Sequence, residues 1–174
     1  MIERLLVAGA GGQGVIFTGK IVAMAGMKQA PHVTFFPSYG AEVRGGTSNC
    51  QVILSSEEIA SPVAETFESM ILMNQESVAR FRSRLAGDGL VIVNGSMCNV
   101  ARSPGVVSVD ASEAAAGLGL TASANLIMLG VYVKARGVLD SAVVKEEITA
   151  ALSRKSGAVT GLNMKAFELG LRQG

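Results

Sequence analysis

The chain has 174 residues, 49% of them apolar and 5% aromatic, with 15 basic and 14 acidic side chains for a net charge of +1. That balance excludes a nucleic acid or an anionic membrane recruited by bulk charge, and two cysteines exclude a disulfide scaffold. The length fits one domain, residues 1–174, with a core of Ala, Val, Ile, Leu and Met.

The first residues, Met1-Ile2-Glu3-Arg4, lead straight into a strand-like run, so no signal peptide is expected. Leu5-Leu6-Val7-Ala8 is a short apolar strand that ends at glycines. After the turn Gly9–Gly14, the residues Phe17, Ile21, Met24 and Ala25 recur at helical spacing. Val33-Thr34-Phe35-Phe36 reads as a second strand stopped by Pro37, so residues 1–36 form a βαβ unit. Ser38–Gly46 reads as a loop and Asn49–Leu54 as a strand. Further strands are expected at Met70–Met73, Leu90–Val93 and Val106–Val109, with a helix near Glu76–Leu85. Gly87-Asp88-Gly89 reads as a turn before Leu90. The uncharged stretch Ala114–Val133 is long enough to cross a bilayer, but its polar, glycine-bearing first half predicts a turn and then a buried helix. Asp140 is an N-cap for a helix that buries Val144, Ile148, Ala151 and Leu152 and turns Lys145, Glu146 and Glu147 outward. Met164, Phe167 and Leu171 mark a closing helix. Strands alternating with helices predict a three-layer α/β/α domain with a mostly parallel sheet, mixed if the strand after the loop pairs antiparallel.

Cys50 and Cys98 are expected to be reduced, buried thiols of a cytoplasmic protein. An iron–sulfur cluster needs about four thiolates, so this chain alone is not expected to bind one. His32 has no acid or cysteine at ligand spacing, and no metal site is expected. The mean hydropathy of +0.40 suggests apolar surface covered by partner chains.

Gly9-Ala10-Gly11-Gly12-Gln13-Gly14 fits G-x-G-x-x-G between a strand and a helix. Such a turn exposes backbone N–H groups at a helix start, a seat for an anion, or packs the helix closely on the strand. A dinucleotide site also wants an acid at the end of the second strand. Phe35-Phe36-Pro37-Ser38 supplies none, and Glu42 comes late. Gly14–Lys20 has Walker A spacing but is followed by Ile21 in place of Ser or Thr.

The segment Pro37-Ser38-Tyr39-Gly40-Ala41-Glu42-Val43-Arg44-Gly45-Gly46-Thr47-Ser48-Asn49-Cys50 is the most distinctive. Tyr39 offers stacking area and Arg44 a rigid fork for a carboxylate or phosphate, or for Glu42 within the loop. Gly45 and Gly46 let backbone come close. Together with Gly9–Val15, Ile59-Ala60-Ser61-Pro62, Met73-Asn74-Gln75 and Asn125-Leu126-Ile127-Met128-Leu129-Gly130, this segment resembles the γ subunit of 2-oxoglutarate or pyruvate ferredoxin oxidoreductases. The wording from Tyr39 to Cys50 is closer to the 2-oxoglutarate branch.

The resemblance implies an oxidoreductase acting on oxo groups, in which 2-oxoacid, coenzyme A and oxidised ferredoxin give acyl-CoA, CO₂ and reduced ferredoxin. It implies thiamine diphosphate between alpha and beta chains, iron–sulfur clusters on other chains (in some members a delta chain), and no cofactor on this one. Its implied site, facing substrate, CoA or a partner chain, comprises Gly11, Gly12, Gln13, Gly14, Tyr39, Gly40, Glu42, Arg44, Gly45, Gly46, Asn49 and Asn125. No catalytic residue is assigned. A stand-alone dinucleotide-binding oxidoreductase and a purely structural interaction module are the alternatives.

Overall fold

The computed structural model describes residues 1–39 and 47–174. The apolar runs become strands β1 (Ile2–Ala10), β2 (His32–Tyr39), β3 (Thr47–Ser55), β4 (Phe67–Leu72), β5 (Leu85–Asn94) and β6 (Val106–Val109). The helices are α1 (Val15–Met27), α2 (Gln75–Phe81), α3 (Ala111–Gly117), α4 (Ala124–Arg136), α5 (Ser141–Ala151) and α6 (Gly157–Leu171). The strands form one sheet in the order β2-β3-β1-β4-β5-β6. β1, β4, β5 and β6 are parallel, and β3 runs antiparallel to both β1 and β2, so the sheet is mixed.

The insertion of β3 positions the site. β1 and β2 belong to a βαβ unit, but β3 lies between them. The crossover through α1 passes over one face, where α1, α4, α5 and α6 pack on Leu5, Val7, Val52 and Leu54. The crossover from β4 to β5 passes over the other face, where Val78 and Phe81 of α2 cover Leu6, Ala8, Leu72 and Val93. β1 and β4 are therefore neighbours whose chains depart in opposite directions, the place where open α/β sheets form a crevice at the carboxyl ends of their strands.

The first face is the thicker. α4 is apolar all round and buried from Ala124 to Val133, because α6 covers the side turned away from the sheet. Gly130 and Gly170 bring the two backbones together: a Cβ on Gly130 would strike the carbonyl of Phe167, and one on Gly170 the carbonyl of Ile127. This doubly covered helix accounts for part of the high hydropathy. Among the described residues no helix is long and apolar enough to cross a membrane.

Four local expectations are corrected. β2 runs through Pro37 to Tyr39, because an edge strand tolerates a missing N–H on its outer side. α1 meets the sheet through Val15, Gly19, Val22 and Gly26, where a Cβ on Gly19 would meet Cys50 and one on Gly26 would meet Leu54, and Met24 is left exposed. Gly87–Gly89 lies within β5 at a register shift against β4. Glu147 is buried against Lys28 at 2.8 Å, and Ala151 is exposed. The Asp140 cap forms as expected, its side chain accepting from the Ala142 N–H at 2.7 Å.

Burial pushes the Cys50 thiol up from 9.0 to about 12. The folded value exceeds the unfolded one, so this stabilisation is complete below about pH 9 and is lost as pH rises toward 12. Urea unfolding is expected to show stability falling above pH 9 by up to about 1.4 kcal/mol per pH unit from this group. Cys50→Ala removes that part of the slope, and an unchanged slope contradicts the assignment.

Candidate functional site

Five strands end, and β3 begins, at one rim of the sheet. Two glycines make the turn after β1: Gly12 at φ 87° and Gly14 at φ 74° occupy the left-handed region. Gln13 folds back so that its Oε1 accepts from the Ala10 N–H at 2.7 Å, while its own N–H donates to the Ala10 carbonyl at 3.2 Å. Gly14 is the N-cap of α1, which has no side-chain cap and no acid in its first turn. Asn125 of α4 lies directly against Gly14. Its Nδ2 donates to the Gly14 carbonyl at 3.3 Å and to Thr18 Oγ1 at 3.1 Å, and Thr18 Oγ1 donates to the same carbonyl at 3.0 Å. A Cβ on Gly14 would sit 2.5 Å from Asn125 Nδ2, so only glycine fits.

Beside this turn, between β1 and β4, opens a cleft of about 360 Å³ lined by Gly12, Gln13, Met73, Met97, Ser112, Thr121, Ala122 and Ala124. None of these side chains is charged. The start of α4 lines the cleft, the start of α1 follows its Gly12–Gln13 wall, and neither helix carries a side-chain cap. Their N–H groups give the cleft partial positive charge without a cationic side chain.

Of the expected site residues, Gly12 and Gln13 line the cleft, Gly11 is exposed beside them, and Gly14 and Asn125 do not line it but are hydrogen-bonded to each other next to its Gly12–Gln13 wall. Tyr39 ends β2 at the same rim, two strands from β1, roughly 10 Å away by strand spacing. Asn49 is buried within β3, opposite Ala8. Gly40, Glu42, Arg44, Gly45 and Gly46 lie outside the described residues, but the residues that flank them, Tyr39 and Thr47, stand at this rim, and Thr47 pairs with Ala10.

Sequence reasoning missed Asn94 and Ser112. Buried Asn94 ends β5, donates from Nδ2 to Ser112 Oγ at 2.8 Å and to the Met73 carbonyl at 3.4 Å, and accepts from the Ser112 N–H at 3.3 Å. It ties β4, β5 and α3 together beneath the cleft. A polar residue closing the apolar run Leu90–Val93 just before Gly95 was the available signal. Gln75 acts similarly, its Oε1 accepting from the Asn99 N–H at 2.8 Å.

A dinucleotide fits poorly here. The strand whose end should hold the ribose acid is displaced from β1 by β3, and it ends without a carboxylate. A cluster fits no better. Cys50 packs on the α1 face and Cys98 on the α2 face, so the sheet separates the two thiols.

The family model for pyruvate ferredoxin/flavodoxin oxidoreductase matches residues 4–173. The chain belongs to this family. Within the pyruvate ferredoxin/flavodoxin oxidoreductase family it is 34% identical over 172 residues to the ketoisovalerate oxidoreductase subunit VorA of Methanothermobacter thermautotrophicus, covering 96% of this chain and 35% of that protein. The chain thus spans about a third of that relative's length. It is 30% identical to the 2-oxoglutarate synthase subunit KorC of Archaeoglobus fulgidus, covering 98% of this chain and 87% of that protein. Its structure is similar to the keto/oxoacid ferredoxin oxidoreductase γ subunit of Geobacter sulfurreducens, with a TM-score of 0.83, 26% identity, and coverage of 99% and 96% of the two chains.

Proposed function

We propose that the chain is the γ-type subunit of a 2-oxoacid:ferredoxin oxidoreductase and that its rim cleft faces the substrate and CoA side of the assembled enzyme. The reading is supported by family membership together with an uncharged cleft at the switch point of the sheet, with Gly12 and Gln13 in its wall. The reaction converts 2-oxoacid, CoA and oxidised ferredoxin to acyl-CoA, CO₂ and reduced ferredoxin. Both named relatives act on an oxoacid other than pyruvate, which favours 2-oxoglutarate or a branched 2-oxoacid as substrate.

Thiamine diphosphate and iron–sulfur clusters belong to companion alpha, beta and, where present, delta chains, and supply the carbon–carbon cleavage and electron transfer. This chain's residues bind and orient. Gln13 and Asn125 fix the Gly12–Gly14 turn, and the starts of α1 and α4 favour a polar or anionic group at the mouth of the cleft. Arg44, with its fork of donors, meets an anionic group of CoA or a partner chain.

The test uses the assembled enzyme. Ala122 is exposed on the cleft wall, so Ala122→Trp fills the cleft without entering the core. KM for CoA is expected to rise about tenfold or more, about 1.4 kcal/mol of lost binding, with assembly intact. Unchanged CoA kinetics in an assembled variant removes the cleft from the reaction. Arg44→Lys is expected to raise the same KM or weaken assembly, since lysine loses the bidentate contact; a variant normal in both respects excludes Arg44.

A further inference from the structure

β2 is an edge strand of eight residues, His32–Tyr39, and among the described residues no strand pairs with its outer side. The opposite edge, β6, has only four residues. Natural sheets guard long edges with charge, proline, bulges or a covering element, because unpaired N–H and C=O groups invite another strand. The sequence His-Val-Thr-Phe-Phe-Pro-Ser-Tyr carries no Asp, Glu, Lys or Arg. Pro37 lacks an N–H, but its carbonyl still accepts.

The edge also has apolar flanks on both sides. On the thin face of the sheet, Phe36 is 40% exposed, and two residues before it on the same face the Thr34 hydroxyl is buried without a partner. On the other side, α1 rests on the sheet through Gly19 and Gly26, and Thr18 turns toward α4. Helical phase then puts Ile16, Lys20, Ala23 and Met27 on the opposite flank, overhanging β2. Met27 there is 67% exposed.

We propose that β2 pairs antiparallel with β2 of a second copy of this chain across a two-fold axis, joining the two six-stranded sheets. The edge suits its own copy. Antiparallel pairing centred on Phe35 sets Phe36 of one copy directly opposite Thr34 of the other, and it brings the two α1 flanks together. An uncharged strand meeting itself puts no charge into the ladder, and of the flank residues named only Lys20, which is exposed, is charged. Eight residues span roughly 27 Å, and with roughly 20 Å from Phe36 to the α1 flank the strip offers on the order of 500 Å² per copy, about 1,000 Å² in all, the lower bound for a specific interface.

Sedimentation equilibrium of the purified chain at micromolar concentration tests this. The wild type is expected at twice its 17.9 kDa mass. Phe36→Lys and Met27→Lys, both at exposed positions, are expected to halve that mass while keeping the circular dichroism spectrum and melting temperature. If Phe36→Lys fails to fold, Met27→Lys on the helix surface decides the matter. A monomeric wild type overturns the proposal. So does a dimer that survives either folded variant, or a β2 edge whose amides become protected from hydrogen exchange only when larger companion chains are added.

Discussion

Gly170→Ala is expected to lower the unfolding free energy by about 3 kcal/mol, the upper range for overpacking a core. The added methyl would be driven into the Ile127 carbonyl and toward the Cα of Gly130, all of it main chain, where the last turn of α6 lies on α4. A side chain could swing aside, but here the last turn of α6 must lift off the α4 backbone. At 2–4 °C per kcal/mol for a chain of this size, the melting temperature should fall by roughly 6–12 °C. Gly161→Ala, on the same helix with open space around it, is the control and should be neutral or slightly stabilising. Equal melting temperatures for Gly170→Ala and the wild type would mean that α6 does not lie on α4 as described.

The second large effect lies at the other end of the sheet. Glu3 is 1% exposed at the start of β1, where its Oε2 pairs with Arg136 Nη2 at 2.6 Å and its Oε1 accepts from the Tyr132 hydroxyl at 3.3 Å. This network fastens β1 to the end of α4. Glu3→Gln removes the charge and leaves the guanidinium in a half-buried site. Removing one partner of a fully buried pair costs about 3–5 kcal/mol. Arg136 keeps a quarter of its side chain in water, which reduces the expected loss to about 2 kcal/mol. Replacing the whole network by apolar groups, Glu3→Leu with Tyr132→Phe and Arg136→Met, should restore most of that, because no charge is then stranded. Urea unfolding of the single and triple variants checks this. A triple variant less stable than Glu3→Gln would show that the ion pair itself, and not the stranded charge, governs stability here.

Much of the architecture was legible because short apolar runs bounded by glycine admit few alternatives. β6 was placed to the residue, and the Asp140 cap follows from one side chain reaching one N–H. The insertion of β3 between β1 and β2 was not legible, since register is chosen between strands and leaves no local mark. The buried side of α1 was legible in part, since Ile21 and Ala25 are buried while Met24 is exposed. Apolar periodicity assumes that only large side chains face the sheet. Here Gly19 and Gly26 do, and closeness to β3 replaces side-chain volume. Glu147 looked like a surface residue until Lys28, far away in sequence, came to pair with it.

At the site, the glycine turn and Asn125 were visible as motifs, and the structure joins them through the Gly14 carbonyl. The cleft wall was less visible. Met73, Met97, Ser112 and Ala122 come from four separate stretches of chain, and their common feature is a position at the carboxyl rim, which only topology supplies. Asn94 and Ser112 carry no motif, and their role rests on one buried amide closing three elements together.

Under the proposed function this chain works as one part of a larger enzyme. Affinity purification of the tagged chain from its native cells measures that directly. It should bring down larger companion chains in fixed ratio, containing thiamine diphosphate and iron–sulfur clusters, and the eluate should reduce a viologen dye only when a 2-oxoacid and CoA are both present. Recovery of the chain alone, or an eluate that turns over NAD without CoA, would contradict it.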